Sequence, residues 1–177
     1  MNAFGYFESP IGRLLLTSDG SALTGLYMEP SRKAQPTEGW SEDVTVAPLS
    51  AAVRQLTEYF AGTRRVFDLP LRPQGTDFQR RVWRELIEIP YGDTWSYGEL
   101  AKRISNPSAS RAVGLANGRN PISILVPCHR VIGADGSLTG YGGGLDRKRW
   151  LLAHEGLHWE RGHASLGLTR APRSAAG

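Results

Sequence analysis

Ser96-Tyr97-Gly98-Glu99-Leu100 and Ser110-Arg111-Ala112-Val113-Gly114 are the two stretches whose reading decides the fold of the C-terminal half. Ser96 and Glu99 have the spacing of a capping box, in which each side chain satisfies the other residue's backbone N–H. A short helix therefore starts here and runs through Ile104. Ser105-Asn106-Pro107-Ser108 reads as a turn, and a further helix runs from about Ala109 to Asn117, stopped by Gly118. Helix, short turn, helix is the helix-turn-helix arrangement. Its second helix is rich in small residues: Ala109, Ser110, Ala112, Gly114 and Ala116. Gly114 lowers helix propensity. It suits a backbone that approaches something closely, either the core or a DNA groove.

Upstream, Thr76 and Gln79 repeat the capping spacing. Phe78, Val82, Leu86 and Ile89 then recur near a helical period until Pro90-Tyr91-Gly92. Pro70, Pro73 and Gly75 mark a boundary. Before it the chain reads as β, with strands over 3–8, 13–18 and 22–28 separated by Ser9-Pro10-Ile11-Gly12 and Asp19-Gly20. Residues 29–47 have no period and read as a loop. Leu49, Val53, Leu56 and Phe60 share a helical face closed by Gly62, and 66–69 reads as a further strand. The expected organisation is a small β-rich domain over 1–72, a mostly helical domain over 73–160, and a disordered tail over 161–177.

Composition is that of an ordinary globular chain, with 40% hydrophobic and 21% charged residues. No apolar run approaches the roughly 18 residues of a membrane span, and the first residues lack the pattern of a signal peptide. A single cysteine fits a reducing compartment, so the cytosol is expected, without membrane association. Charge is uneven. Residues 1–72 hold 7 Lys/Arg against 8 Asp/Glu, and 73–177 hold 14 against 9. The basic half is either an ordinary solvated surface or a polyanion-binding one.

The single cysteine sits in Pro127-Cys128-His129-Arg130-Val131. It cannot form an internal disulfide or a cysteine-based zinc site. It is either a packed apolar filler or a nucleophile, and the imidazole and guanidinium beside it favour a thiolate.

The wider pattern separates these readings. Besides the two stretches quoted first, the chain carries Asn117-Gly118-Arg119-Asn120-Pro121 before the cysteine. After it come Gly140-Tyr141-Gly142-Gly143-Gly144-Leu145 and Leu151-Leu152-Ala153-His154-Glu155-Gly156. In this order and spacing, over about residues 75 to 157, the chain resembles the 6-O-alkylguanine-DNA alkyltransferases, the methylated-DNA–protein-cysteine methyltransferases. The first 72 residues resemble the family only weakly. The resemblance implies an α+β fold: a small N-terminal antiparallel sheet with a helix, ribonuclease H-like, and a helical, winged-helix-like C-terminal domain.

It also implies irreversible, single-turnover transfer of an alkyl group from the exocyclic oxygen of guanine, or of thymine, to Cys128. No cofactor is needed, because the protein is itself the acceptor. The expected partner is double-stranded DNA entered from the minor groove, with no obligate protein partner. His129, acting through a water and oriented by Glu155, takes the thiol proton in the manner of catalytic triads, and Asn120 holds the turn beside the cysteine. Tyr97 hydrogen-bonds the flipped base and Tyr141 walls it. The backbones of Val131 and Gly142 recognise it, and Ser123 stands where some relatives carry a bulkier proline. Arg111 fills the stack that base flipping leaves empty. Thr94, Ser96 and nearby amides bind phosphates, while Ala112 and Gly114 lie against the DNA. Some relatives bind a structural zinc in the N-terminal half. This chain has no histidine before His129 and one cysteine, so no metal is expected there.

Two rival functions remain at this level. A cysteine–histidine hydrolase would turn over repeatedly and need an oxyanion hole, for which no motif is present. A non-enzymatic helix-turn-helix regulator or lesion sensor would bind DNA equally well without the thiol.

Overall fold

The computed structural model describes residues 1–159 and 168–170. Strands β1 (Ala3–Ser9), β2 (Gly12–Ser18) and β3 (Leu23–Met28) form an antiparallel meander. The first turn closes with Ser9 pairing Gly12, whose φ of 106° suits glycine. Short strand β4 (Ser41–Glu42) joins β1 in parallel, giving the order β3-β2-β1-β4. It lies inside the stretch expected to be all loop. Helix α1 (Leu49–Phe60) covers the sheet through Leu49, Ala52, Leu56 and Tyr59. Its buried face is thus turned from the expected one: Tyr59 is fully buried, while Val53 and Phe60 pack only partly.

The strand expected over 66–69 does not form. The Gln55 amide bonds both backbone groups of Asp68, at 2.9 Å each, so that stretch finds its partner in a side chain. Pairing resumes two residues later, where Leu23 exchanges bonds with Pro70 and Arg72.

Helix α2 (Asp77–Ile87) carries the expected capping box at Thr76 and Gln79 and buries Val82, Trp83 and Leu86. Short strand β5 (Trp95–Ser96) leads into α3 (Tyr97–Arg103), again with its capping box. A single 3-10 turn, Pro107–Ala109, leads into α4 (Ser110–Gly118). The Trp83 indole N–H donates to Ala116 O at 2.8 Å and ties the end of α4 to α2. Strand β6 (Val131–Ile132) pairs in parallel with β5, helix α5 (Leu145–His154) follows, and β7 (Leu157–Trp159) pairs with β8 (Leu168–Arg170).

One apolar core runs through both halves, from Leu14, Leu26 and Leu56 to Val82, Leu100, Val113 and Val126. The backbone joins them too. Leu26 N–H donates to Pro121 O at 2.9 Å, and Ser123 N–H donates to Leu26 O at 3.0 Å. The cysteine-bearing segment is thereby anchored on the outer edge of the N-terminal sheet. Of the tail expected to be disordered, most lies outside the described residues, but Leu168–Arg170 form strand β8.

Candidate active site

Local backbone chemistry sets the cysteine on a turn. Pro127 has φ −81° and ψ 62°, the inverse γ-turn geometry, with φ restrained by its ring. The Cys128 N–H accordingly donates to Val126 O at 2.8 Å. Cys128–Arg130 then make one 3-10 turn. Upstream, Ile124 has φ 70°, and Leu125 N–H donates to Ser123 O across it at 2.8 Å. A β-branched residue held there costs about 1–3 kcal/mol. Asn120, buried, spans this strained loop: its Nδ2 donates to Val126 O at 2.8 Å and its Oδ1 accepts from Ile122 N–H at 2.9 Å. Asn117 Nδ2 reaches Cys128 O at 3.3 Å.

The next two residues turn away from the thiol to one carboxylate. Glu155 follows the last residue of α5 and is 4% exposed. Its Oε1 lies 2.8 Å from His129 Nε2 and accepts from Tyr59 Oη at 2.9 Å and Arg130 Nη2 at 2.8 Å; its Oε2 accepts from Arg130 Nε at 2.8 Å. Arg130 Nη1 donates to Ile89 O at 2.7 Å. Burial alone would raise the Glu155 pKa, but His129 and Arg130 more than offset it and hold the carboxyl at about 2. An ionised carboxylate only accepts, so His129 Nε2 carries the proton. Burial pushes His129 below its usual range despite Glu155, leaving the ring neutral with its lone pair on Nδ1. That nitrogen is buried and has no hydrogen-bond partner among the described residues.

The adjacent charges do not make a resting thiolate. Burial pushes the Cys128 thiol up, against opposing influences from Asn120, Lys148 and Lys33. The guanidinium expected to favour the thiolate is committed to Glu155 and Ile89. Deprotonation therefore has to accompany the reaction, and a neutral imidazole is the group suited to it.

Cys128 lines a pocket of about 350 Å³ with Asn117, Asn120, Ser123, Tyr141 and Gly142. Gly118, Gly140 and Gly143 also line it, and its facing wall comes from the N-terminal half, through Tyr27, Met28 and residues 30–33. The Lys33 ammonium crosses to Gly118 O at the end of α4. Tyr141 Oη is buried without a hydrogen-bond partner among the described residues. Two residues expected at the base stand outside this lining. Tyr97 Oη donates to Thr139 O at 3.3 Å. Val131 O accepts from Lys148 Nζ at 2.6 Å, and the same ammonium donates to Thr139 O at 2.9 Å. Lys148 is fully buried and its pKa is lowered to about 8 by that burial. It ties the foot of the glycine-rich loop to the cysteine turn.

The helix-turn-helix residues face outward. Arg111 and Ala112 are exposed on α4, and Gly114 is partly exposed. A Cβ on Gly114 would meet the Tyr97 ring at 3.7 Å, an ordinary contact, so core packing does not demand glycine there. Leu115, one turn beyond Arg111, is 67% exposed. Thr94 N–H donates to Asp93 Oδ1, and Ser96 is engaged with Glu99 in the capping box. Trp95 packs under the Arg103 guanidinium, 3.9 Å from its ring centre.

Residues 2–73 match the 6-O-methylguanine DNA methyltransferase ribonuclease-like domain, and 77–157 match the DNA binding domain of the same family. The chain belongs to the 6-O-methylguanine DNA methyltransferase family. It is 54% identical over 154 residues to a methylated-DNA–protein-cysteine methyltransferase of Methanosarcina acetivorans, covering 86% of this chain and 97% of that protein. It is 56% identical over 156 residues to one from Mycolicibacterium paratuberculosis, covering 85% and 90%. A crystal structure of Mycobacterium tuberculosis OGT in complex with DNA superposes with a TM-score of 0.80 at 54% identity, covering 86% of this chain and 92% of that one.

Within this methyltransferase frame, several residues at the site carry little sequence signal. Tyr59 becomes visible only if α1 is phased on Leu49, Ala52 and Leu56. Arg130 reads as a charge beside the thiol, whereas it serves the carboxylate. Lys148 looks like any helix lysine. Tyr27, Met28 and residues 30–33 reach the pocket only through the tertiary fold.

Proposed function

We propose that the protein repairs DNA directly, moving an alkyl group from the exocyclic oxygen of alkylated guanine to Cys128 in one irreversible turnover. The observation that carries this reading is a buried thiol at a base-sized pocket, next to an imidazole whose far nitrogen is fixed by an ionised carboxylate. Sγ attacks the alkyl carbon, the S–C bond forms, and the C–O bond breaks with guanine leaving. The thiol proton passes through a water to His129 Nδ1, and Glu155 stabilises the imidazolium that results. The product thioether has no easy reverse route, so each molecule acts once.

Tyr97 exchanges its bond to Thr139 O for one to the leaving base, easing negative charge on it, and Tyr141 forms the wall of the base pocket. Val131 O has two lone pairs, so Lys148 leaves it able to accept from the base; the Gly142 amide is the matching donor. Ser123 leaves more room at the pocket than a proline would. Asn120 fixes the turn. Arg111 fills the stack, Ala112 and Gly114 allow close approach to the minor groove, and Thr94 and Ser96 lie where phosphates pass.

The test is intact-mass measurement after incubation with benzylguanine or methylated duplex. One alkyl group should be gained, on Cys128, saturating at one equivalent. Turnover well beyond one equivalent, or labelling elsewhere, would overturn the reading.

A further inference from the structure

Two apolar hollows are lined in part by residues 124–127 of the cysteine-bearing segment, none of which lines the Cys128 pocket. One, of about 320 Å³, includes Leu69, Leu71, Ile89 and Pro127 in its lining. The other, of about 220 Å³, includes Pro73, Trp83 and Val126. They share Leu71 and Ile87 and so form one groove. Ile87 is 49% exposed and Val66, in the same lining, 75%, which leaves apolar area in water that a partner would bury. The charged lining residues are Arg65 and Arg130 in one hollow and Arg80 and Arg84 in the other; among the described residues no acidic side chain lines either. Arg130 is committed to Glu155 and Arg80 pairs with Asp77. Arg65 and Arg84 make no ion pair among the described residues.

We infer that this groove docks an acidic segment of a partner protein that carries bulky apolar side chains. Apolar side chains fill the two hollows, and carboxylates meet the arginines at their rims, where charge complementarity fixes register and speeds encounter. The chain's own residues 160–177 match poorly, since they hold Arg161, Arg170 and Arg173 against Glu160. DNA matches the arginines but gains little from a concave apolar floor. The groove also shares no lining residue with the Cys128 pocket and includes none of the exposed residues of α4. Its occupant therefore leaves both free, and this surface stands whether or not the repair reading does.

The test uses the full chain and a fluorescein-labelled peptide of alternating aspartate and phenylalanine or leucine. Its control is the same peptide with lysine for aspartate. Anisotropy should show saturable binding of the acidic peptide alone. Arg84→Glu and Ile87→Asp should each weaken it about tenfold or more, with the thermal melt unchanged, and excess duplex DNA should not displace it. If Ile87→Asp melts early, the surface change Arg84→Glu carries the test by itself. Absence of saturable binding, equal binding of the lysine peptide, or indifference to Arg84→Glu overturns the proposal. So does displacement by DNA together with lost DNA affinity in Arg84→Glu, which would make the groove a nucleic-acid surface.

Discussion

The Glu155 cluster and the outer face of α4 are built on opposite principles. Around Glu155 three side chains make four contacts of 2.8–2.9 Å, all but excluded from water. On α4, Arg111, Ala112 and Leu115 stand in solvent. A buried polar network acts only if complete, because a half-satisfied one is worse than none. A contact surface is useful only while its partners are still to come. The first region should therefore fail in chemistry and stability together, and the second in duplex recognition alone.

The sharpest way to break that contrast is Cys128→Ser. Alkyl transfer should vanish by intact mass, while duplex affinity, by anisotropy, stays near wild type. A parallel loss of affinity would mean the thiol turn and α4 are one cooperative unit.

Glu155→Gln comes next. It leaves Arg130 buried without its anion, a defect of about 3–5 kcal/mol, and deprives His129 of its orienting acceptor. Transfer to benzylguanine should slow by about 10²–10⁴-fold. The linkage sign follows from a carboxyl held at about 2 in the fold against 4.5 for the free group. Its stabilisation is complete above about 4.5 and drains as pH falls from there toward 2, amounting to about 3 kcal/mol. Urea melts across that window should be steep for wild type and shallow for Glu155→Gln. Equal slopes would place the charge elsewhere.

Arg111→Ala should act on the other region. The duplex repair rate should fall about tenfold or more while the free-base rate holds, since a free base needs no flipping. Were Arg111 only a phosphate contact, the main trace would be a salt slope reduced by about one. Equal loss on both substrates would assign it to folding.

The smallest effect concerns the link between the regions. Trp83→Phe removes the indole bond to Ala116 O and should cost about 1 kcal/mol, or a fall in Tm of about 2–4 °C. Duplex and free-base rates should keep their ratio. A changed ratio would show that this tie sets the pose of α4 as well as its stability.

What the sequence disclosed followed the range of the interactions. Both capping boxes, at Thr76 with Gln79 and Ser96 with Glu99, are local exchanges of hydrogen bonds and were legible as spacing. The meander was legible because its turns are short. The phase of α1 was ambiguous, since Tyr59 and Phe60 are adjacent aromatics and only packing chooses between them. The role of Arg130 was hidden for a related reason: proximity along the chain put it beside Cys128, and the fold turned it to Glu155. The strand expected at 66–69 failed because a side chain, Gln55, supplied the hydrogen bonds a neighbouring strand would have given. Residues 30–33 carried no period at all, yet they line the pocket.

The bonds that Leu26 makes to Pro121 and Ser123 have a further consequence. β3 ends the sheet, and a bare end strand is a template for other chains. Here residues 70–72 cover one stretch of that rim and residues 121–123 the other. The loop that presents the nucleophile is thus also a guard against self-association, so a substitution that frees it should be read first in solubility.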